Sequence, residues 1–170
     1  MNLSAILYIV ILPGILANVL HMAVVKLNLI SFLSIPVNKR LFGENKTIRG
    51  FVILIFLTGL FSILGSTLIY WSISKGLSYG AILGGTYALF ELPNSFLKRR
   101  LGIVAGGKAT KNKLLFQVLD KTDSTFGVAL VYSLLSGLSW NQGLLLFVGN
   151  VVLHVSLSFL LVVLKIKKSF

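Results

Sequence analysis

The sequence has no cysteine and very few acidic residues, and both absences narrow the chemistry open to it. Without cysteine the chain has no disulfide, no thiol nucleophile and no cysteine-ligated metal. Only 4 of the 170 residues are acidic, against 16 Lys and Arg, which gives a net charge of +12. Charged residues make up 12% of the chain, whereas a soluble domain carries about 25%. This deficit indicates that lipid surrounds most of the chain.

Long apolar stretches take up most of the sequence. The mean hydropathy is +0.93, and five stretches approach the roughly 20 apolar residues that a helix needs to cross a bilayer. The sequence therefore predicts an all-α, polytopic integral membrane protein, with one domain over residues 1–170. The predicted membrane helices cover approximately residues 5–25, 51–71, 77–92, 125–138 and 144–164, separated by two long loops at 26–50 and 93–124.

The distribution of basic residues predicts how these helices are oriented. Of the 16 Lys and Arg, 15 fall in the two long loops and the C-terminal tail, and Lys75 alone lies on the other side. Because positive charge marks the cytoplasmic face, we expect both long loops and the C-terminus in the cytoplasm and the N-terminus outside. No basic residue precedes Lys26, so the first stretch is interpreted as a membrane helix rather than a secretory signal. The expected location is the cell membrane.

Three glycines of the predicted third helix, Gly76, Gly80 and Gly84, lie four residues apart. Small residues at this spacing let helices approach closely in lipid. We expect them to serve packing within one chain, and the alternative is the seam of a homodimer.

Two acidic residues, Asp120 and Asp123, are three residues apart just before the predicted fourth helix. Side chains at this spacing share one face of a helix. Such a pair can hold Mg²⁺, which keeps several waters and bridges to phosphate oxygens. The alternative is a charged helix start, where Asp favours the positive end of the helix dipole.

The segment 91–100 combines polar and basic residues beyond the predicted third helix. Pro93 suits the first turn of a new helix, and Glu91, Ser95 and Lys98 follow a helical spacing that forms a polar stripe. The segment ends in a cationic cluster of Lys98, Arg99 and Arg100. Such a cluster suits phosphate binding, and its alternative role is a topology signal.

The end of the first long loop carries Lys46, Thr47 and Arg49 between two glycines at positions 43 and 50. Glycine permits unusual backbone angles, and the three polar side chains can donate to phosphate. The two histidines, His21 and His154, have no partner at metal-ligand spacing, so interhelical hydrogen bonds are expected for both.

Three segments together resemble the CDP-archaeol synthase family, which is related to the CDP-diacylglycerol synthases. They are Arg40-Leu-Phe-Gly-Glu-Asn-Lys-Thr-Ile-Arg-Gly50, Asn94-Ser-Phe-Leu-Lys-Arg-Arg-Leu-Gly-Ile103 and Leu119-Asp-Lys-Thr-Asp123. The family often has Asp-Gln-Leu-Asp in the third segment. Both carboxylates of that motif are present here, at positions 120 and 123.

The resemblance implies a CTP-dependent cytidylyltransferase of phospholipid biosynthesis. Such an enzyme converts a lipid phosphate, either an archaeal-type ether lipid phosphate or phosphatidate, to the CDP-lipid and releases pyrophosphate. It implies Asp120, Asp123 and Lys98 as catalytic residues, with the two aspartates holding Mg²⁺. The residues expected to contact CTP or phosphate are Lys46, Thr47, Arg49, Asn94, Ser95, Lys98, Arg99 and Arg100. The implied partners are CTP, the lipid phosphate and membrane lipids, and no nucleic acid is expected.

Two other functions remain open at the level of the sequence. A CTP-dependent polyprenol kinase would transfer the γ-phosphate instead and release CDP. A small non-enzymatic membrane transporter is the third possibility. Transporters usually place ionisable groups near the middle of the bilayer, whereas the carboxylates here are predicted at its face, which counts against transport.

Overall fold

The computed structural model describes residues 2–107 and 113–163. Within these residues the chain is helical and has no strand, so the all-α prediction is confirmed. An isolated β-bridge joins Pro36 to Thr47. The helices are α1 (Leu3–Lys26), the short α2 (Lys39–Phe42), α3 (Ile48–Leu68), α4 (Ile73–Arg100), α5 (Lys113–Ser136) and α6 (Trp140–Val163).

Three of the described helices are long and apolar enough to cross a membrane. They are α1, α3 and the Trp140–Leu160 part of α6. Helices α4 and α5 also have the length, but their glycines, polar residues and charges reduce their mean hydropathy. The structure therefore confirms membrane-type helices, while the five spans and the orientation of the termini stay predictions.

The predicted bounds of the third and fourth helices were wrong. Helix α4 continues through Pro93 to Arg100 rather than ending near residue 92, and α5 begins at Lys113 rather than near residue 125. The length of an apolar stretch predicts only the part of a helix that lipid covers. It therefore places the end of the helix where polar and charged residues begin, although the helix itself continues. Residues 108–112 of the predicted loop and the basic tail 164–170 lie outside the described residues.

The most extensive helix contact joins α3 and α4. A Cβ added to Gly80 would lie 2.5 Å from both Ser62 Oγ and the backbone oxygen of Thr58, and one added to Gly84 would lie 2.6 Å from the backbone oxygen of Leu54. Gly76 meets Ser66 in the same way. The glycine stripe thus packs against small residues of the same chain, which confirms the intramolecular expectation for this stripe.

Helix α1 crosses α3 at a second close approach. A Cβ on Gly65 would lie 1.9 Å from the backbone oxygen of Tyr8. Around this point, residues Ile6–Ile11 of α1 form a wider π-helical turn. Such turns free backbone groups from the regular hydrogen-bond pattern, and the hydroxyl of Ser62 donates to the Ile9 oxygen at 3.3 Å.

The bundle is completed by α5, which packs on α4, and by α6, which packs on α5. A core of apolar side chains from α1, α4, α5 and α6 fills one end of the bundle, and it consists of Ile6, Ile9, Val10, Leu83, Ala129, Tyr132 and Leu146. Apart from Lys75, the charged residues of α4 and α5 lie toward the other end. The two ends of α4 are therefore chemically different.

Candidate functional site

Asp120 and Asp123 lie on one face of α5, and one side chain of α4, that of Asn94, contacts both of them. The amide nitrogen of Asn94 donates to Asp120 Oδ1 at 2.6 Å and to Asp123 Oδ2 at 3.0 Å. The shared face predicted from the spacing is confirmed. Their predicted place at a helix start was wrong, because the pair lies seven and ten residues after α5 begins at Lys113.

Lys98, one turn further along α4, contacts Asp120 as well. Its ammonium contacts both carboxylate oxygens of Asp120, and the distance from Nζ to Oδ2 is 2.6 Å. The Lys98 side chain is only 16% exposed, whereas that of Asp120 is 44% exposed. Asp120 therefore keeps an open side toward solvent while its other side is neutralised.

A second ion pair lies next to this one. Lys46, which precedes α3, pairs with Glu91 of α4, and both side chains are about one-quarter exposed, at 25% and 28%. Glu91 and Lys46 both exert electrostatic effects on Asp123, so the two ion pairs form one group. We refer to it as the charged cluster, and it consists of Lys46, Glu91, Asn94, Lys98, Asp120 and Asp123.

A cavity of about 160 Å³ opens beside the charged cluster. Four helices contribute to its wall, including Asn18 of α1, Tyr87 and Glu91 of α4, Asp120 of α5 and His154 of α6. The remaining lining residues are mostly apolar, namely Ile15, Val19, Met22, Leu157 and Ser158. Two carboxylates, those of Glu91 and Asp120, therefore line a space to which the apolar helices α1 and α6 also contribute.

The electrostatics of Asp123 differ from those of an ordinary surface carboxylate. Asp123 lies outside the three apolar helices described above, and burial raises the pKa of its carboxyl group. Hydrogen bonds from Asn94 and from the backbone N–H of Ser124, the latter at 2.6 Å, oppose that shift in pKa. A site that disfavours an isolated negative charge is one in which a cation is stabilising.

The donor set of the charged cluster fits Mg²⁺ better than a closed structural metal site. Among the described residues, no group of three or more His, Cys, Asp or Glu comes together. Mg²⁺ needs only one or two carboxylates, because water and substrate phosphates supply its other ligands. Asn94 Oδ1 is buried and has no hydrogen-bond partner in the described part of the chain. Exchanging the two ends of that amide, which are hard to tell apart, would present a third oxygen to the site.

Three of the residues expected to bind phosphate make hydrogen bonds within the chain. Arg49 is buried and donates to Asn28 Oδ1 at 3.2 Å and to the backbone oxygen of Leu29 at 3.0 Å. Thr47 caps α3 by accepting from the N–H of Gly50 at 3.3 Å. Ser95 donates to the backbone oxygen of Glu91 at 2.9 Å, one turn earlier in α4. These contacts tie the first long loop to α3 and stabilise α4 beyond Pro93.

The two remaining predicted residues, Arg99 and Arg100, point to a different place. They line a larger pocket of about 500 Å³ between α2 and the end of α4. That pocket shares no lining residue with the cavity at Asp120. The basic cluster at positions 98–100 is therefore divided, with Lys98 in the charged cluster and the two arginines elsewhere.

The chain matches no family model, no curated protein and no solved structure. The function must therefore be argued from the charged cluster and its surroundings.

Sequence reasoning missed Tyr87 of α4, which contacts Asn18 of α1 and His154 of α6 beside the cavity. The amide of Asn18 donates to the hydroxyl of Tyr87 at 3.4 Å, and the Tyr87 and His154 rings meet edge to face with centroids 6.4 Å apart. His154 Nδ1 also lies 3.2 Å from the backbone oxygen of Lys121 in α5, which confirms the interhelical bond expected for it. A tyrosine within an apolar helix gives no distinctive signal in one sequence.

Proposed function

We propose that the chain is a membrane-embedded cytidylyltransferase that uses CTP to activate a lipid phosphate. A non-bridging oxygen of the lipid phosphate would attack the α-phosphorus of CTP. The bond from that phosphorus to the bridging oxygen of the β-phosphate breaks, and pyrophosphate leaves. The product is a CDP-lipid for phospholipid biosynthesis, with either an ether lipid phosphate or phosphatidate as the acceptor.

The observation that carries this proposal is the meeting of Asp120 and Asp123 with Asn94 and Lys98, beside a cavity that Asp120 itself lines. Both reactants are anions, so their repulsion must be cancelled, and positioning with electrostatic stabilisation dominates this type of reaction. Carboxylates for a divalent cation and ammonium groups for phosphate lie together here, as such a reaction requires. The segment resemblance supplies the nucleotide and the class of lipid.

Each residue of the charged cluster has a distinct role in this proposal. Asp120 and Asp123, with the amide of Asn94, would hold Mg²⁺. When bound, the ion supplies charge neutralisation at phosphate oxygens. Lys98 and Lys46 each exchange a carboxylate partner for a phosphate oxygen when substrate enters, since an ammonium donates equally well to either. Glu91 keeps the Lys46 ammonium close to the cavity before substrate arrives.

The proposed orientation puts the charged cluster on the cytoplasmic face of the cell membrane. CTP is a soluble nucleotide of the cytoplasm, and the 15-to-1 division of basic residues favours that side. In this arrangement the chain crosses the bilayer five times, with α4 and α5 completing the three apolar helices. Reporter fusions at both termini test it, and we expect an external N-terminus and a cytoplasmic C-terminus. Two cytoplasmic termini would exclude five spans.

Purified protein with CTP, Mg²⁺ and a panel of lipid phosphates, assayed alongside a polyprenol, tests the reaction itself. A cytidylyltransferase releases pyrophosphate, whereas the polyprenol kinase considered above releases CDP. We expect pyrophosphate in amounts equal to the CDP-lipid formed, with phosphatidate or an ether lipid phosphate as acceptor. Release of CDP with a polyprenol acceptor would replace this proposal with the kinase, and release of neither product across the panel would favour the non-enzymatic function.

A further inference from the structure

The pocket between α2 and the end of α4 is distinct from the charged cluster and needs its own explanation. Its volume is about 500 Å³, roughly three times that of the cavity at Asp120. Its walls consist of Asn38, Arg40, Leu41, Phe96, Arg99 and Arg100. On α4, Arg99 follows Lys98 directly, and successive helical residues point about 100° apart. The pocket therefore lies on a different face of α4 from Asp120.

Three arginines line this pocket without an acidic side chain among the described residues of its wall. The nearest carboxylate in sequence, Glu44, forms its ion pair with Lys39 at 2.6 Å. Arg99 Nε is buried and has no hydrogen-bond partner within residues 2–107 and 113–163. Guanidinium groups present planar, forked donors that match phosphate oxygens. The pocket is thus suited to a phosphate group rather than to a cation or a neutral ligand.

The chain that leads into the pocket is unusually apolar for a loop. Residues 27–37 connect α1 to Asn38 at the pocket wall. The segment exposes the apolar side chains of Leu27, Leu29, Ile30, Phe32, Ile35 and Val37. Phe32 is the most exposed of these, at 76%. Exposed apolar side chains next to basic residues are typical of surfaces that lie in the headgroup region of a bilayer.

Backbone contacts fix this apolar segment beside the basic pocket. The N–H of Val37 donates to the Lys46 oxygen at 2.8 Å, and the N–H of Ile48 donates to the Ile35 oxygen at 2.9 Å. These bonds join the end of the segment to the start of α3, one of the apolar helices. A lipid phosphate fits this surface, because its hydrocarbon part can stay beside the apolar side chains while its headgroup reaches the arginines.

We propose that the arginine pocket formed by Arg40, Arg99 and Arg100 binds the phosphate headgroup of an anionic bilayer lipid, held as a bound lipid and not as the reacting substrate. This function goes beyond the proposed reaction and does not depend on it. The lipid would fasten α2 and the end of α4 to the membrane surface, on the side of α4 opposite to Asp120.

Lipid retention measured by native mass spectrometry tests this directly. The full chain is released from mixed micelles that contain phosphatidylglycerol or, as the matched zwitterionic lipid, phosphatidylcholine. We expect phosphatidylglycerol to stay bound preferentially, and Arg40→Gln to reduce its retention by about fivefold, since each basic residue near anionic lipid contributes on the order of 1 kcal/mol. Lys75→Gln removes one positive charge at the opposite end of α4, beside Trp71, and should leave retention unchanged.

Competition separates a lipid from a soluble anion. Pyrophosphate and CTP are added to the same samples, and we expect neither to displace phosphatidylglycerol at millimolar concentration. Displacement that requires Arg40, or equal retention of both lipids, would overturn the proposal in favour of a soluble-anion site or non-specific binding. Arg40 and Arg100 are both exposed, so Arg100→Gln provides a second variant should Arg40→Gln lower the melting temperature. If neither Arg40→Gln nor Arg100→Gln reduces the retention of phosphatidylglycerol, the proposal is also contradicted.

Discussion

The two halves of α4 contact their neighbouring helices in opposite ways. The first half carries Gly76, Gly80 and Gly84, whose missing side chains let α3 approach to contact distance. The second half carries Glu91, Asn94 and Lys98, whose side chains reach Lys46 and the aspartates of α5. One half works through the absence of side chains and the other through their charge.

This contrast separates stability from chemistry along a single helix. In the first half, added volume must displace backbone atoms, so substitution there should destabilise the fold. In the second half the charged side chains of Glu91 and Lys98 are partly exposed, and their partner Asp120 of α5 is 44% exposed, so loss of a charge there should leave the bundle folded. Substitutions in the first half should therefore lower the melting temperature, and substitutions in the second half should lower the reaction rate.

Asp120→Asn and Asp123→Asn test the charged half with the largest expected effect. Asn keeps the size and part of the hydrogen bonding but removes the charge that a hard cation needs. We expect each change to lower CDP-lipid formation by about 100-fold or more, as for loss of a principal electrostatic group. Raising Mg²⁺ should restore part of the rate. The initial rate and the melting temperature are measured on the same preparations.

A purely structural role, in which these aspartates only hold α5 to Asn94 and Lys98 of α4, predicts the reverse. It expects a stability loss of about 1.5–3 kcal/mol, as for loss of a hydrogen bond to a charged group, with turnover retained. Near-normal turnover in both single variants would therefore contradict the proposal that Asp120 and Asp123 hold Mg²⁺.

Lys98→Ala should have the next largest effect. Hydrogen bonds to charged groups contribute about 1.5–3 kcal/mol, which corresponds to about 10–100-fold in rate. We expect kcat/KM for CTP to fall within that range while the melting temperature changes little. Lys75→Ala, at the other end of α4, is the matched control and should retain its rate. Unchanged kinetics in Lys98→Ala would return that residue to the role of a topology signal.

Gly80→Ala tests the packing half. The new Cβ would meet the Thr58 backbone oxygen and Ser62 Oγ, each at 2.5 Å, and overpacking of this kind costs about 1–3 kcal/mol. We expect a lower melting temperature in detergent, with the specific activity of the folded fraction retained. Gly149→Ala in α6 is the control, because no atom lies within 4 Å of the added Cβ. Equal melting temperatures for the two variants would contradict the close α3–α4 seam.

Glu44→Gln should have the smallest effect of all. Its hydrogen bond with Lys39 lowers the pKa of Glu44 and raises the pKa of Lys39, but both groups are fully exposed. A lowered carboxyl pKa adds stability above the unfolded-state pKa and loses it as the pH falls through the folded-state value. Solvent screens such exposed pairs strongly. We expect no measurable change in melting temperature at pH 7, and a clear loss there would show that the ion pair holds α2 in place.

The sequence was sufficient to predict the helical class, the aspartate pair and the packing role of the glycine stripe. Each depends on local spacing, since residues three or four apart on a helix share a face whatever surrounds them. The polar stripe of Glu91 and Lys98 was predicted for the same reason, and both residues now lie in the charged cluster.

The errors concern features that depend on neighbouring helices. Pro93 was interpreted as a helix start, yet α4 continues through it, as membrane-type helices tolerate when side chains satisfy the backbone nearby. The pairing of Lys46 with Glu91 joins residues 45 positions apart, and no local pattern encodes that distance. The division between Lys98 and Arg99 likewise depends on which helices flank α4 on each side.

Following the individual phosphates of CTP tests directly whether the cytidylyl group is transferred to the lipid phosphate. CTP labelled on the α-phosphorus and CTP labelled on the γ-phosphorus are supplied in parallel to purified protein with Mg²⁺ and a lipid phosphate. We expect the α-label to enter the lipid product and the γ-label to leave as pyrophosphate. Both the labelled lipid and the labelled pyrophosphate should be lost in Asp120→Asn. Transfer of the γ-label to the lipid, or transfer of the α-label at an unchanged rate in Asp120→Asn, would contradict this expectation.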